Sequence, residues 1–184
     1  MKKLLLSFSL MGFMFSAGGQ TSVYHPFPDS NAVWNITFGG YQSPECSKYS
    51  YTMSGDTVVS SLTYHKLIKN RIIYASYATG FCNWGSVLAI PAPSYAGAIR
   101  QDSALRKVYY LPPSASADTL LYDYNLVIGD TVKTYVSMYT PFPVVTATDS
   151  VLVGTVYHKR WAVNSGACID GKLIEGVGSG FGLL

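Results

Sequence analysis

The feature that most constrains how this chain folds is a segment in which apolar side chains occupy alternate positions. In residues 119–126, one set of alternate positions is entirely aliphatic or aromatic: Leu120, Tyr122, Tyr124 and Leu126. Successive side chains of a strand point to opposite faces of the sheet. The pattern therefore predicts an antiparallel strand with one buried face, and Ile128-Gly129-Asp130-Thr131 predicts the turn that follows it.

Similar short segments, bounded by turn-forming residues, recur along the chain. The other predicted strands are Val33–Phe38, Lys48–Met53, Leu62–Ile68, Ile72–Tyr77, Ala96–Gln101, Lys107–Leu111, Val144–Val153 and Tyr157–Val163. Charged residues make up 12% of the chain, against about 25% in ordinary domains, and the abundant Tyr, Thr and Val favour strands. We therefore predict an all-β fold, an antiparallel meander of about ten short strands that forms a barrel-like or sandwich domain.

Two further hairpins are predicted from local chemistry. Residues 99–108 carry too few apolar positions for the stripe of an amphipathic helix, so we predict a hairpin that turns at Asp102-Ser103-Ala104. The segment from Cys168 to Ile174 predicts a second hairpin, because Asp170-Gly171 accepts the positive φ angles of a type I′ turn.

Residues 1–20 have the organisation of a secretory signal peptide. Two lysines precede an apolar run from Leu4 to Phe15, and small residues follow from Ser16 to Gly19. The run is shorter than the roughly 20 residues that span a bilayer, and no comparable run follows it. We therefore expect export through the Sec pathway and no transmembrane segment in the mature chain.

Removal of the signal peptide leaves a nearly neutral chain. The two lysines that it contains take the formal net charge from +3 to +1. A chain without excess positive charge lacks the main attraction for a phosphate backbone, so nucleic acid is not an expected partner. We expect the mature chain to begin near Thr21 and residues 21–184 to form a single β domain.

Three cysteines, Cys46, Cys82 and Cys168, occur in a chain that is expected to fold outside the cytoplasm. Two of them can form a disulfide, in three possible ways, which leaves one thiol free or available to another chain. Their spacing matches no zinc site. We therefore favour one structural disulfide and assign neither a metal nor a cofactor.

One short pattern occurs twice. Asp56-Thr57-Val58-Val59 precedes Tyr64-His65-Lys66 by four residues, and Asp149-Ser150-Val151-Leu152 precedes Tyr157-His158-Lys159 by the same number. Each copy predicts a hairpin that begins with an Asp turn. The two histidines are either equivalent members of a metal or acid/base site or solvated residues of a reused hairpin, and we favour the second interpretation because neither has a nearby ligand at a suitable spacing.

Several segments, spread over nearly the whole mature chain, carry a resemblance to a known family. They are Asp29-Ser30-Asn31-Ala32-Val33-Trp34-Asn35, Gly55-Asp56-Thr57, Tyr64-His65-Lys66-Leu67, Gly97-Ala98-Ile99-Arg100-Gln101-Asp102, Lys107-Val108-Tyr109-Tyr110-Leu111, Leu120-Leu121-Tyr122-Asp123-Tyr124-Asn125-Leu126, Gly129-Asp130-Thr131, Ile174-Glu175-Gly176-Val177-Gly178-Ser179 and Gly182-Leu183-Leu184. In this order they resemble the largely uncharacterised secreted proteins of Bacteroidota that usually end in a type IX secretion (por-type) sorting domain.

The resemblance implies export across the outer membrane and a place at the cell surface or outside the cell. Such proteins normally continue after the glycine-rich segment into more sheet and then the sorting domain. By this resemblance the chain is the N-terminal part of a longer protein, truncated after Leu184. The family brings no established catalytic residues that map onto this sequence.

The candidates for chemistry are charged residues on otherwise well-patterned strands: Arg100, Asp102, Asp123 and Glu175. Two carboxylates at a suitable separation can hydrolyse a glycoside. The competing interpretation, which we favour, pairs Arg100 with an acid in an internal salt bridge and places the other charges at turns. The catalytic residues therefore stay unassigned.

The glycine-rich tail fits neither of the two functional motifs that it suggests. A nucleophile elbow needs glycine two residues on either side of Ser179, where Val177 and Phe181 stand. A dinucleotide fingerprint that starts at Gly176 needs glycine at position 181 and a strand-to-helix unit. The segment is therefore predicted to be a turn whose glycines let the backbone pass close to a neighbouring strand.

Three functions remain open, and their ligand, substrate or partner is not specified by the sequence. The favoured one is a secreted or cell-surface module without enzymatic activity, which serves adhesion or binds an extracellular glycan or protein. It predicts an exposed aromatic surface among the 15 tyrosines and other rings. The alternatives are a barrel-type carrier with an enclosed apolar cavity and a secreted hydrolase with acids, or Ser, His and Asp, in one cleft.

Overall fold

Eleven antiparallel strands account for most of the residues that the computed structural model describes, which are 23–39, 46–76, 82–133, 142–164, 171–180 and 182–184. The strands are β1 (Val33–Phe38), β2 (Cys46–Val59), β3 (Leu62–Ser76), β4 (Cys82–Ala89), β5 (Ser94–Asp102), β6 (Lys107–Leu111), β7 (Thr119–Asp123), β8 (Val144–Val153), β9 (Val156–Asn164), β10 (Gly171–Ile174) and β11 (Gly178–Ser179). The prediction of an all-β fold is confirmed.

The strands form two antiparallel sheets, one of which is curled into a half-barrel. The larger sheet has the order β1-β2-β3-β5-β6-β7, and β4 pairs with the far end of β3. The smaller sheet has the order β11-β10-β9-β8. Within the described ranges no helix is long and apolar enough to cross a membrane.

Most predicted strands are present, although several of their bounds differ. The sequence predicts one strand over 119–126, but β7 ends at Asp123, and Tyr124 and Asn125 form a turn. The segments 62–68 and 72–76 are predicted in two separate strands but belong to β3, because the intervening Lys69, Asn70 and Arg71 pair with β2. Tyr77, the last residue of the second predicted strand, lies outside the described residues. The strand β4 is not predicted from the sequence, and it contains Asn83 and Gly85, which strands normally disfavour.

The predicted turns are present where the structure describes them. The hairpin at Asp102 joins β5 to β6, and the Asp102 carboxylate accepts a hydrogen bond from the Leu105 N–H at 2.9 Å. The Asp130 carboxylate accepts one from the Val127 N–H at the next turn, also at 2.9 Å. The predicted turn at Asp170 lies outside the described residues, and Gly171 begins β10.

A row of aromatic rings joins the two sheets. From the larger sheet to the smaller, the rings are Trp34, Phe27, Tyr122, Tyr124 and Trp161, and successive centroids lie 5.3, 5.8, 6.1 and 5.9 Å apart. All except Trp34 are buried. Aromatic pairs at these distances contribute attraction beyond the burial of their area, so the row is the centre of the core.

The N-terminal segment, residues 23–32, completes this core. Phe27 is 4% exposed and lies between Trp34, on which it stacks, and the tilted ring of Tyr122. Gln101 of β5 donates a hydrogen bond to the hydroxyl oxygen of Tyr24 at 2.6 Å. The segment is therefore held to the larger sheet through both packing and hydrogen bonding.

The glycine-rich tail forms the close turn that its sequence predicts. Gly178 has a φ of +109°, and a Cβ atom at this position would lie 2.9 Å from the Tyr122 ring. The Tyr122 hydroxyl donates a hydrogen bond to the Leu183 carbonyl at 2.7 Å, and Leu183 is fully buried. Only glycine satisfies both the backbone angle and the contact, so the tail packs directly on the aromatic row.

The disulfide joins Cys46 to Cys82, with 5.5 Å between the two Cα atoms. It links the first residue of β2 to the first residue of β4, and the two cysteines are 36 positions apart. This is one of the three pairings that the sequence allows. Cys168 lies outside the described residues.

We predict that loss of this disulfide lowers stability by about 4 kcal/mol, the loop-closure entropy expected for a loop of this length. The measurement is urea unfolding of a Cys46→Ser/Cys82→Ser variant against the oxidised parent. The matched control is Cys168→Ser, which removes a thiol without removing the bond. Equal destabilisation by the control would show that the Cys46–Cys82 bond is not the stabilising link.

A second prediction concerns alkaline pH. Burial raises the pKa of Tyr122 and of Tyr124 above the ordinary value. Both tyrosines stay neutral in the folded protein while the unfolded chain ionises near pH ~10, so stability holds below that pH and falls above it. Each tyrosine contributes a slope of about 1.4 kcal/mol per pH unit there.

The test is the urea midpoint between about pH 8 and pH 11. The Tyr122→Phe variant is expected to be less stable at neutral pH, because it loses the hydrogen bond to Leu183, and to have a shallower alkaline slope. Tyr157→Phe is the control, since Tyr157 is 53% exposed. A flat profile in the parent would contradict the assignment of buried, neutral tyrosines.

Candidate functional site

Several apolar side chains on and near β4 are exposed, among them the rings of Trp84 and Tyr95. The exposed apolar side chains around β4 are Trp84, Val87, Leu88, Ile90 and Tyr95, with exposed fractions between 37% and 71%. We call these five residues the β4 surface. The pairing of β4 with β3 shifts here, since Ile73 lies opposite Ala89 and Tyr74 lies opposite Val87. Leu88 is therefore the extra residue of a bulge, where the alternation of side chains is interrupted, and both Val87 and Leu88 are exposed.

The register of the larger sheet places two of these side chains, Val87 and Tyr95, on one face. Val87 lies opposite Tyr74 and Tyr95 lies opposite Ile68. Tyr74 and Ile68 are an even number of residues apart on β3 and share one face. Val87 and Tyr95 therefore extend that same face of the sheet.

Trp84 is held in place by its neighbours. Its ring lies edge-on to Tyr74, with 5.3 Å between the centroids. The Lys48 ammonium lies 5.4 Å from the Trp84 ring and 5.2 Å from the Tyr74 ring. An exposed aromatic ring fixed between a second ring and a cation presents apolar area without a large loss of side-chain entropy on binding.

A second candidate region is a partly open cleft of about 410 Å³ between the N-terminal segment, the start of β3 and the end of β5. His65 and Arg100, two of the residues considered from the sequence, line it. His65 Nδ1 lies 2.8 Å from the Asp56 carboxylate, and Asp56 is its cross-strand neighbour.

Arg100 forms the internal salt bridge that the sequence predicts. Its Nε atom donates to the Asp118 carboxylate at 2.7 Å, and the Tyr64 hydroxyl donates to the same oxygen at 2.9 Å. The Arg100 guanidinium also lies 4.0 Å from the centre of the Tyr109 ring. Burial raises the pKa of Tyr64, which keeps this hydroxyl a donor. The partner Asp118 is not among the acids singled out from the sequence.

The three acids considered for catalysis have separate local partners. Asp102 accepts from the hairpin backbone, and Asp123 forms an ion pair with Lys107 at 3.4 Å while accepting the N–H of Asn125. Glu175 is 3% exposed and lies between β10 and β11. The structure therefore shows turn and salt-bridge roles for Asp102 and Asp123.

Glu175 belongs to a buried cluster with two histidines. The His25 N–H donates to its carboxylate at 3.3 Å, and the His158 ring Nδ1 lies 2.7 Å from its main-chain carbonyl. The His25 and His158 rings stack, with 4.1 Å between centroids. Within the described residues no cation pairs with the Glu175 carboxylate, and His25 Nε2 and the Tyr124 hydroxyl are buried without a hydrogen-bond partner.

The repeated sequence pattern forms two hairpins, as predicted, but their registers differ. Asp56 on β2 lies opposite His65 on β3. Asp149 on β8 lies opposite Arg160 on β9 and not opposite His158. The two histidines are therefore not equivalent. His158 is partly exposed, and its ring stacks on that of His25.

No group of His, Cys, Asp and Glu suited to a metal ion occurs among the described residues. In the same residues, neither the histidines nor the acids assemble with a serine into the contacts of a catalytic triad. Comparison with protein-family models, with curated proteins and with solved structures finds no match to this chain.

Glu175 provides a prediction about the buried cluster. Replacing it with Ala leaves the His25 N–H without an acceptor and opens a cavity, so we expect a loss of about 2 to 3 kcal/mol. Glu175→Gln keeps an oxygen acceptor and nearly the same volume, so its cost is expected to stay below about 1 kcal/mol.

The measurement is urea unfolding at neutral pH for both variants. A loss in Glu175→Gln as large as that in Glu175→Ala would mean that the negative charge itself is required. In that case the cluster would hold a cation or an additional proton that the hydrogen bonds do not reveal.

Proposed function

We propose that this protein is a secreted or cell-surface module without enzymatic activity that adheres to an extracellular protein through the β4 surface. The signal peptide supports export through the Sec pathway. The resemblance to Bacteroidota proteins that carry a type IX sorting domain supports a final location on or outside the cell. The observation that carries the binding role is the exposure of the β4 surface.

The chemistry of the β4 surface favours a protein over a glycan as its partner. Three of its five side chains, Val87, Leu88 and Ile90, are aliphatic and 52% to 71% exposed. Aliphatic groups bury well against apolar protein side chains, but they offer no hydrogen bonds to sugar hydroxyls. Clustered exposed apolar side chains on a protein surface often mark an interaction site.

The strand β4 adds a second reason. In the described residues it pairs only with β3, along part of its length. An edge strand can accept main-chain hydrogen bonds from an extended segment of a partner, while side-chain pockets supply specificity. Trp84, fixed by Tyr74 and Lys48, is the kind of ring that dominates binding energy in protein interfaces.

A direct test is adhesion of beads coated with the mature protein to layers of collagen, of fibronectin and of the protein itself. We expect retention on at least one layer. The Leu88→Ser/Ile90→Ser variant should reduce retention about tenfold or more, since each buried aliphatic side chain contributes about 1.5 to 3 kcal/mol.

The control variant is Leu152→Ser/Tyr157→Ser, which removes two exposed apolar side chains from the hairpin of the smaller sheet. It should leave retention unchanged. The proposal fails if no layer retains the beads, or if both variants lose retention equally.

A further inference from the structure

The cleft beside β3 and β5 combines fixed polar groups with an apolar wall. Its volume of about 410 Å³ falls within the roughly 300 to 1,000 Å³ that is typical of small-molecule sites. One side is residues 26–29 of the N-terminal segment, and the other side is Thr63, His65, Arg100, Gln101 and Ser103. None of these residues belongs to the β4 surface.

His65 presents one ring nitrogen to a ligand. The Asp56 carboxylate can only accept a hydrogen bond, so His65 Nδ1 donates to it and Nε2 is the ring nitrogen left for a ligand. Asp56 is not among the residues that line the cleft. The cross-strand pair therefore sets the orientation of the imidazole and leaves Nε2 unoccupied by Asp56.

Gln101 is likewise held by a partner that does not line the cleft. Its amide nitrogen donates to the Tyr24 hydroxyl oxygen at 2.6 Å, which leaves the amide carbonyl as an acceptor. Thr63 and Ser103 add hydroxyl groups that both donate and accept. The polar wall thus offers several acceptors and adaptable donors at fixed positions.

The charges in the cleft disfavour an anionic ligand. The Arg100 guanidinium is paired with Asp118 at 2.7 Å, so it is not an uncompensated positive charge. Asp29 adds an exposed carboxylate to the lining. A phosphate or carboxylate ligand would meet no free arginine or lysine among the lining residues.

The apolar wall suits the carbon–hydrogen face of a ring. Phe27 is 4% exposed, so the apolar surface open to a ligand belongs to Pro26 and Pro28 on either side of it, which are rigid and have no N–H to satisfy. A saccharide combines polar and apolar surface in the same way, because its rim of hydroxyls needs paired donors and acceptors while its ring face is apolar.

We infer that this cleft binds a neutral saccharide unit, with the Gln101 carbonyl and the Asp29 carboxylate accepting from its hydroxyls, His65 Nε2 forming a further hydrogen bond, and Pro26 and Pro28 facing its ring. The inference goes beyond the proposed protein adhesion and stands on separate residues. A chain with both sites anchors to a protein through the β4 surface and recognises a sugar through the cleft.

The experiment is saturation-transfer NMR of the mature protein with a panel of neutral sugars: glucose, galactose, mannose, xylose, N-acetylglucosamine and their common β-linked disaccharides. Titration then measures the dissociation constant of each sugar that shows transfer. His65→Ala and Asp29→Ala are expected to weaken binding about tenfold each, as loss of a hydrogen bond to a charged or oriented group does.

The matched control is Asp149→Ala, because Asp149 occupies the position equivalent to Asp56 in the second hairpin and does not line the cleft. Asp56→Ala should weaken binding by releasing His65, whereas Asp149→Ala should not. Circular dichroism and urea unfolding confirm that each variant is folded, and Asp29 and Asp56 are exposed residues whose loss leaves the core intact.

The inference is overturned if no sugar of the panel shows transfer, or if His65→Ala and Asp29→Ala leave the affinity unchanged. It is also overturned if glucose 6-phosphate binds more tightly than glucose, since that would require a free positive charge. Unchanged sugar binding by the Leu88→Ser/Ile90→Ser variant would support two independent sites, and loss of sugar binding in that variant would place the sugar on the β4 surface instead.

Discussion

The stacked row from Trp34 through Phe27, Tyr122 and Tyr124 to Trp161 is the interaction on which the rest of the structure depends. Hydrogen bonds of the two ladders hold each sheet together but do not join one sheet to the other. The row does so, and the indole of Trp161 also donates a hydrogen bond to the Leu126 carbonyl at 2.8 Å. Packing of rings therefore sets how the sheets meet.

Both ends of the described chain pack on this row. Phe27 inserts from the N-terminal segment, and the tail reaches the row through Gly178 and Leu183. The ends also meet each other, since a Cβ atom at Gly176 would lie 2.9 Å from the His25 carbonyl oxygen. Segments far apart in sequence thus close the same core, and the cleft exists because the N-terminal segment is held across the sheet.

Much of the fold is predictable because side-chain alternation is a local property. The bounds of β1, β6 and β8 follow directly from it. The strand β4 is not predictable in this way, because Trp84, Val87 and Leu88 are all apolar and exposed and a bulge interrupts its pairing with β3. Pairing across a sheet is not local either, and for that reason the sequence suggests a salt bridge for Arg100 without identifying Asp118 as its partner.

The candidate sites also depend on contacts between residues that are far apart in the sequence. The sequence identifies His65 and His158 through a repeated pattern, but a difference in hairpin register gives one an Asp56 partner in a cleft and leaves the other stacked on His25. Many of the aromatic side chains that the structure describes are buried in the core, so the number of tyrosines in the sequence says little about binding. Exposed apolar side chains also occur elsewhere in the structure, and what distinguishes the β4 surface is the Trp84 ring held by Tyr74 and Lys48. What distinguishes the cleft is that His65 and Gln101 are oriented by partners outside it. Both properties arise from tertiary contacts, which no local sequence motif encodes.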